Sequence, residues 1–546
     1  MKNGFQSLRF QSLRKLLEQN EQRAQRSSGQ GNRRTQSIRL VLSVACLLMW
    51  ALLPAISVAQ SGSSGSSNRS SNGIDAATPF KGNVPKFSSR AKLKANPNIV
   101  FFLVDDLGWT DLGCYGSKFY ETPNIDALCK SGMKFNQAYA ACQVCSPTRA
   151  SILTGKYPQR FGVTDYINPS GKNQPVQWNR KTKLLPAPYR DHLPLEEVTI
   201  AEQLKSRGYA TFFAGKWHLG NKGYWPEDQG FDVNKGGLER GGPYGGKRYF
   251  SPYDNERLSD GPEGEHLPDR LATEATQFIS ANRDNPFLVY LSFYSVHTPL
   301  MGREDLVEKY EKLKPKMDES EIWGKEGKRK VRQVQEHAVY AAMVQAMDDA
   351  VGKVLDSLTE NGLNDNTVVM FMSDNGGLST SEGYPTSNLP LRGGKGWIYE
   401  GGIREPMIVR APGLTRPGTD CNSIVSSVDF YPTIMELAGM PEDDRPDIDG
   451  SSIVDLLRGG EENRKPIFWH YPHYGNQGGS PSAAIRDGDW KLIQWFETGE
   501  YSLYNLAKDI GEKEDLAKSD PELVQNLAEK LTAWQLKVGA KYPSKR

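Results

Sequence analysis

Ile99-Val100-Phe101-Phe102-Leu103-Val104-Asp105-Asp106 is an apolar run of strand length that stops on two carboxylates. It lacks the apolar-polar alternation of a half-exposed strand, so it fits a strand buried on both faces, as in a parallel sheet. Similar runs recur at Ala210-Thr211-Phe212-Phe213-Ala214, Phe287-Leu288-Val289-Tyr290-Leu291, Val368-Val369-Met370-Phe371-Met372 and Met407-Ile408-Val409. Helical patterns lie between them: Ala338 to Leu358 puts Ala342, Met343, Met347, Ala350, Val354 and Leu358 on one face, and Thr199 to Ser206 forms a second. Strands alternating with helices predict an α/β fold, a doubly wound and mainly parallel sheet flanked by helices. After about Leu457 the pattern changes to short strand-like pieces, Ile467 to Tyr471, Ser482 to Arg486 and Trp490 to Trp495, then an amphipathic helix from Pro521 to Leu536. This predicts a smaller C-terminal antiparallel sheet with one covering helix. The charged stretch Arg303 to Gln335 predicts a solvated helical insertion with no catalytic part. The aromatic cluster Trp469-His470-Tyr471-Pro472-His473-Tyr474 fits either a pocket lining or, by a small margin, the core of the small sheet.

The 546 residues suffice for a large core and a second, smaller unit. Lys and Arg number 67 against 65 Asp and Glu, so no overall field argues for nucleic acid, and an anionic partner has to be held locally. Residues 1–38 are polar and basic, Leu40 to Val58 are mostly apolar, and Ser57-Val58-Ala59 supplies small residues before a cut. That is the pattern of a signal peptide over 1–59 and of an exported chain, periplasmic or secreted; an uncleaved membrane anchor and a start placed too far upstream are the alternatives. Residues 60–97, rich in Ser, Gly, Asn and Lys, read as a disordered linker. The remaining divisions are 98–457, a catalytic domain, and 458–546, the antiparallel subdomain. Cleavage would leave few cysteines, enough for one or two disulfides of unreadable pairing, and Cys142 and Cys145 have no second Cys/His pair to make a zinc site.

In an open parallel sheet the carboxyl ends of the strands face one crevice, and polar residues repeatedly follow those ends here. The first strand ends in Asp105-Asp106 and the fourth in Ser373-Asp374-Asn375. Three carboxylates and an amide oxygen are hard ligands that favour Ca²⁺ or Mg²⁺ over zinc, although acidic turn residues taken singly would only cap helices. The second run leads into Gly215-Lys216-Trp217-His218-Leu219-Gly220, which sets a cation and an imidazole two residues apart on an extended segment, and the third into Ser295-Val296-His297-Thr298-Pro299. Glycines around Lys395 in Leu391-Arg392-Gly393-Gly394-Lys395-Gly396 would let an ammonium approach an anion closely, and Glu400-Gly401-Gly402-Ile403-Arg404 follows. Cys145-Ser146-Pro147-Thr148-Arg149 runs into a helix-forming stretch that Gly155 should end. With Ser146 as cap and Pro147 in the first turn, Cys145 should sit just outside the helix N-terminus, with Arg149 one turn along.

With its flank, Cys145 to Gly155 resembles the signature of the type I, formylglycine-dependent sulfatases of the alkaline phosphatase superfamily, and the GKWHLG, HTP, LRGGKG and EGGIR stretches and the two acidic strand ends are similar to that family's motifs in order. The resemblance covers roughly Asn98 to Gly413 and implies an arylsulfatase-type sulfuric ester hydrolase. It implies that Cys145 is converted to Cα-formylglycine by a formylglycine-generating enzyme, and that the hydrated aldehyde attacks sulfur. It implies a divalent metal, usually Ca²⁺, held by Asp105, Asp106, Asp374, Asn375 and the residue at 145. Arg149, Lys216 and Lys395 would hold the sulfate or the diol. His297 with Lys395 would protonate the leaving alcohol, and His218 would deprotonate the second hydroxyl to expel sulfate. The expected substrate is a sulfated carbohydrate or another small sulfate ester. A phosphodiesterase or phosphonate hydrolase of the same superfamily and a non-catalytic receptor for sulfated glycans are the alternatives.

Overall fold

β1 (Asn98–Val104) is buried along its whole length, and its alternation explains the unbroken apolar run. Ile99, Phe101 and Leu103 enter one core, and Val100, Phe102 and Val104 enter another on the opposite face. The computed structural model describes Leu93 and residues 95–546 apart from 443–444 and 462–465. The signal-peptide reading over 1–59, and the linker reading over all but a few of residues 60–97, fall outside the described residues.

β1 is central in a nine-stranded sheet. Its other strands are β2 (Met133–Tyr139), β3 (Ala210–Gly215), β4 (Val233–Lys235), β5 (Phe287–Ser292), β6 (Thr367–Ser373), β7 (Arg404–Arg410), β8 (Thr419–Cys421) and β9 (Val425–Ser426). The spatial order is β8-β2-β7-β6-β1-β5-β3-β4, with β9 pairing β2 off that path. β1, β3, β4, β5 and β6 run parallel, while β7, expected as one more parallel strand, lies antiparallel to both β6 and β2. β2 has no unbroken apolar run, because Lys134, Asn136 and Gln137 stay half-exposed. On one face pack the helices Cys145–Thr154, Ile200–Ser206 and Phe430–Leu437; on the other, Pro123–Ser131, Leu267–Ala281 and Ala338–Glu360. Each large apolar side chain sealed between sheet and helix contributes about 2 kcal/mol relative to exposure. Thr199 caps the Ile200–Ser206 helix through a reciprocal capping box with Glu202.

The charged insertion departs from the helical expectation. A helix, Glu304–Leu313, is followed by a hairpin of Trp323–Glu326 and Arg329–Arg332. Lys330 and Arg332 lie over the Trp323 ring, 4.0 and 4.7 Å from its centre, so the charges that suggested a solvated helix stack on an aromatic strand instead. The C-terminal sheet has four antiparallel strands, β10 (Ile467–Tyr471), β11 (Ser482–Asp487), β12 (Trp490–Trp495) and β13 (Tyr501–Asn505), and the Pro521–Lys537 helix covers it with Leu527, Leu531 and Trp534. Trp469, His470, Tyr471 and His473 are buried, so the aromatic cluster belongs to the core.

A buried charge knot joins this sheet to the loop that follows Lys395. Lys491 Nζ of β12 lies 3.0 Å from Glu400 Oε1 and 2.8 Å from Glu512 Oε1, and all three side chains are fully buried. The Tyr139 hydroxyl donates to Glu400 at 2.7 Å, and the Glu400 N–H donates to Glu512 at 2.6 Å. Lys491→Ala would strand two carboxylates, and unfolding by urea should show a loss of about 3–5 kcal/mol. Burial already pushes Glu512 up to about 7. A carboxyl raised in the folded state favours folding at low pH and loses that contribution as pH rises through its folded value, so the variant should be penalised more above pH about 7 than below it. A loss under about 1 kcal/mol at both would mean that Arg404 and Arg486, the other cations near Glu400, suffice.

Candidate active site

The strand ends meet as the crevice rule expects. The Asp374 N–H donates to Val104 O at 3.0 Å, which puts the end of β6 beside the end of β1. The Asp106 N–H then donates to Asp374 Oδ1 at 3.3 Å, and Asn375 Nδ2 donates to Asp106 Oδ1 at 2.8 Å. Lys216, just past β3, places Nζ 2.5 Å from Asp105 Oδ2, and Lys395 places Nζ 2.7 Å from Asp106 Oδ1. Gly215 makes the first approach feasible: its φ is +98°, and a Cβ there would overlap the Ser292 carbonyl. Gly394 lies so close to the Gly377 carbonyl that a side chain could not fit, and the Lys395 N–H donates to that carbonyl at 3.2 Å, which packs the glycine-rich loop against the segment that follows β6.

Cys145 is the first residue of its helix, and Val144 takes the capping position. The expectation that Ser146 caps is corrected: its Oγ donates to His218 O at 3.0 Å and accepts from the Ile167 N–H at 3.0 Å. Gly155 ends the helix in the left-handed conformation, φ +69°, as expected. Arg149 is committed elsewhere than the thiol. Its Nε and Nη2 lie 2.8 and 2.7 Å from Asp374 Oδ2, and Nη1 donates to Lys216 O at 2.9 Å and to Ser292 Oγ at 2.6 Å. Burial pushes the Cys145 thiol up, against the pull of Lys216 and Lys395, so this is no low-pKa thiolate.

His218, in a left-handed turn at φ +58° instead of an extended segment, has Nδ1 3.3 Å from Cys145 Sγ and 3.2 Å from Ser146 Oγ. Its Nε2 faces the Ile167 carbonyl at 2.7 Å. A carbonyl only accepts, so Nε2 carries the proton and Nδ1 offers its lone pair toward Cys145. Burial, then Lys216, hold this imidazole well below its ordinary value and therefore neutral. His297 Nδ1 donates to Thr298 O at 2.7 Å, and its Nε2 stands 3.8 Å from Asp106 Oδ2. Burial and Lys395 hold His297 neutral too.

Asp105, Asp106 and His297 have ligand atoms within 4.8 Å of one another. Burial pushes Asp105 well up, with Asp374 and Asp106 pushing the same way against Lys216. Burial acts likewise on Asp106, but Lys395 prevails and holds its carboxyl low. Asp105 Oδ1 and Asn375 Oδ1 are buried without hydrogen-bond partners. Orphan oxygens of hard character beside crowded carboxylates fit a divalent cation. Asp374 is instead turned to Arg149 and the Asp106 N–H. A cavity of about 280 Å³ opens above Cys145, His218, His297 and Lys395. Its other walls include Tyr166, Asn168, Tyr244, Glu382, Asn476 and Gln477, none of them foreseen, since they come from loops without periodicity. Ser292 was also missed, although it ends β5 and the strand-end rule would have found it.

A family model described as Sulfatase matches residues 97–440, and one described as N-sulphoglucosamine sulphohydrolase, C-terminal, matches residues 394–537. The chain is 33% identical over 528 residues to a sulfatase of Formosa agariphila, covering 83% of this chain and 91% of that one. It is 30% identical over 440 residues to N-acetylgalactosamine-6-sulfatase of Rattus norvegicus, covering 76% and 74%. Among solved structures it is similar to Ps i-CgsB in complex with k-i-k-neocarrahexaose, with 30% identity, a TM-score of 0.65, and coverage of 80% and 92%.

Proposed function

Because the chain belongs to the sulfatase family of the alkaline phosphatase superfamily and is a sulfuric ester hydrolase, we propose that it cleaves a sulfate monoester on a carbohydrate with a formylglycine hydrate made from Cys145. The observation that carries this reading is a single buried cluster around Cys145, in which Asp105, Asp106, Asp374 and Asn375 meet Arg149, Lys216, His218, His297 and Lys395. The carbohydrate follows from the relatives, one named for N-acetylgalactosamine 6-sulfate and one holding a neocarrahexaose.

A sulfate ester needs positive charge at its oxygens, a fixed nucleophile and a proton for the departing alkoxide. Asp105, Asp106, Asp374 and Asn375 would hold Ca²⁺, or Mg²⁺, with the group at position 145. When bound, the ion supplies a positive centre that orients that group and the sulfate. Lys216 and Lys395 supply ammoniums, and the carboxylate beside Lys395 keeps it well above its ordinary value and charged, against burial. Arg149 holds Asp374 in place. Lys395 is the firmer proton donor to the leaving alcohol. His297, neutral here, joins it once a bound sulfate's negative charge favours protonation. Nδ1 of His218 is oriented to take a proton from a hydroxyl at position 145, the step that releases sulfate and regenerates the aldehyde.

The test is peptide mass analysis at Cys145 followed by turnover of a panel of defined sulfated sugars. An unmodified thiol in active enzyme would reject the nucleophile, and failure on every sulfate ester would reject the reading. His218→Ala should leave sulfated enzyme at steady state, visible in intact mass, with turnover down about 10²–10⁴-fold. Finding only unmodified mass under substrate would remove His218 from that step. We further propose that residues 98–457 carry the chemistry and that residues 458–546 contribute Asn476 and Gln477 to its mouth. Maturation would need a formylglycine-generating enzyme and the chain would be exported. Among the described residues no helix is long and apolar enough to cross a membrane.

A further inference from the structure

The cavity above Cys145 is rich in acceptors and poor in cations. Among the residues lining it, Lys395 is the one Lys or Arg, and it faces Asp106 and the sulfate position. On the outer wall Gln477 Nε2 donates to Glu382 Oε1 at 2.7 Å, while Gln477 Oε1 is buried without a partner. Glu382 is half-buried and built into place. Glu382, Gly383 and Tyr384 adopt left-handed φ of +51°, +93° and +49°, a run that costs conformational energy and persists only where neighbours impose it. Several bonds impose it here. The Tyr384 N–H donates to Ser381 O at 2.8 Å, the Arg332 N–H donates to Ser379 O at 2.9 Å, and the Arg332 guanidinium donates to Tyr384 O. Thr380 and Trp397 both donate to Gln477 O. The charged hairpin therefore braces the turn that presents Glu382, and the carboxylate is near enough to help keep Lys395 protonated.

Resting on the sulfatase reading, we propose that Glu382, steadied by Gln477, is the specificity-determining residue. It accepts hydrogen bonds from the hydroxyls that flank the scissile sulfate and turns away a ring bearing a second sulfate or a carboxylate there. The substrate class is then a singly sulfated, otherwise neutral sugar. A second anion would meet a fixed carboxylate, with no spare cation among the lining residues to offset it. Tyr244, half exposed on the same rim, offers a flat apolar face to one sugar ring, and about 280 Å³ is at the small end for a ligand pocket.

The test compares kcat/KM for release of the 6-sulfate from galactose 6-sulfate and galactose 4,6-disulfate, and for the same pair built on N-acetylgalactosamine, in the matured wild type and in Glu382→Gln. Each ratio is taken within one enzyme, so any uniform loss in the variant cancels. The wild type should favour the singly sulfated sugar of each pair, and Glu382→Gln should shrink that preference about tenfold or more. An unchanged ratio, or a wild type that prefers the disulfates, overturns the proposal while leaving the sulfatase intact. Wild-type turnover of 4-nitrophenyl sulfate separates the two failures: if matured enzyme hydrolyses neither this ester nor any sugar sulfate, the sulfatase reading falls and this inference with it.

Discussion

Cys145→Ala should fold and bind its substrate, yet lose turnover by about 10⁴-fold or more. The position tolerates the change. Cys145 opens its helix, alanine suits a helix, and the substitution takes away the approach of Sγ to His218 Nδ1. The adjacent Ser146 hydroxyl is poorly placed to take over the attack, being engaged with His218 O and the Ile167 N–H. Cys145→Ser separates the mechanisms further. A serine could accept sulfate once, but it has no second hydroxyl for His218 to deprotonate, so a single burst without sustained turnover is expected. Steady-state activity of the alanine variant within about tenfold of wild type would eliminate position 145 as the nucleophile.

Removing divalent ions with a chelator should cut activity by about 10³-fold and lower the melting temperature by several degrees. An ion present at a hundred times its Kd adds about 2.7 kcal/mol to the folded state, and chelation withdraws it. The donors set the selectivity. Asp105, Asp106, Asp374 and Asn375 would offer oxygen donors in the proposed site, so Ca²⁺ or Mg²⁺ should restore activity better than Zn²⁺. Without the ion, Lys216 and Lys395 still neutralise two of the carboxylates, which is why the fold should survive chelation even as turnover collapses. A chelated enzyme with full activity and an unchanged melting temperature would argue that these oxygens hold no metal.

Much of the fold could be read where one rule governed a whole segment. β1, β3, β5 and β6 are buried on both faces, so hydrophobicity alone marks them, and their ends carry Asp105, Lys216 and Asp374 into one crevice. β2 escaped because its half-exposed polar residues break the run, and β13 escaped because Y-S-L-Y-N is short and polar in part. The direction of β7 is set by its partners β2 and β6, which no local pattern encodes. In the site, motif residues were legible because chemistry demands those side chains after those strands. Ile167 was not, because it acts through a backbone carbonyl that any residue would supply. Glu382 was not, because its place depends on a hairpin more than forty residues upstream whose charges suggested only a solvated face.

The helix that begins at Cys145 has every one of its ten residues buried, and Cys145, Ser146, Thr148 and Arg149 are each at most 3% exposed. Arg149 is enclosed among Asp374, Ser292 and the Lys216 carbonyl. Any catalyst that oxidises Cys145 by gripping the neighbouring Pro147 and Arg149 would find neither within reach once the chain has closed around them. On the formylglycine reading proposed above, conversion would have to come while the segment is still extended, and folding would set a deadline for it. A cell that folds this chain faster than it modifies it would accumulate a well-formed, inert protein that no later treatment of the native state could rescue.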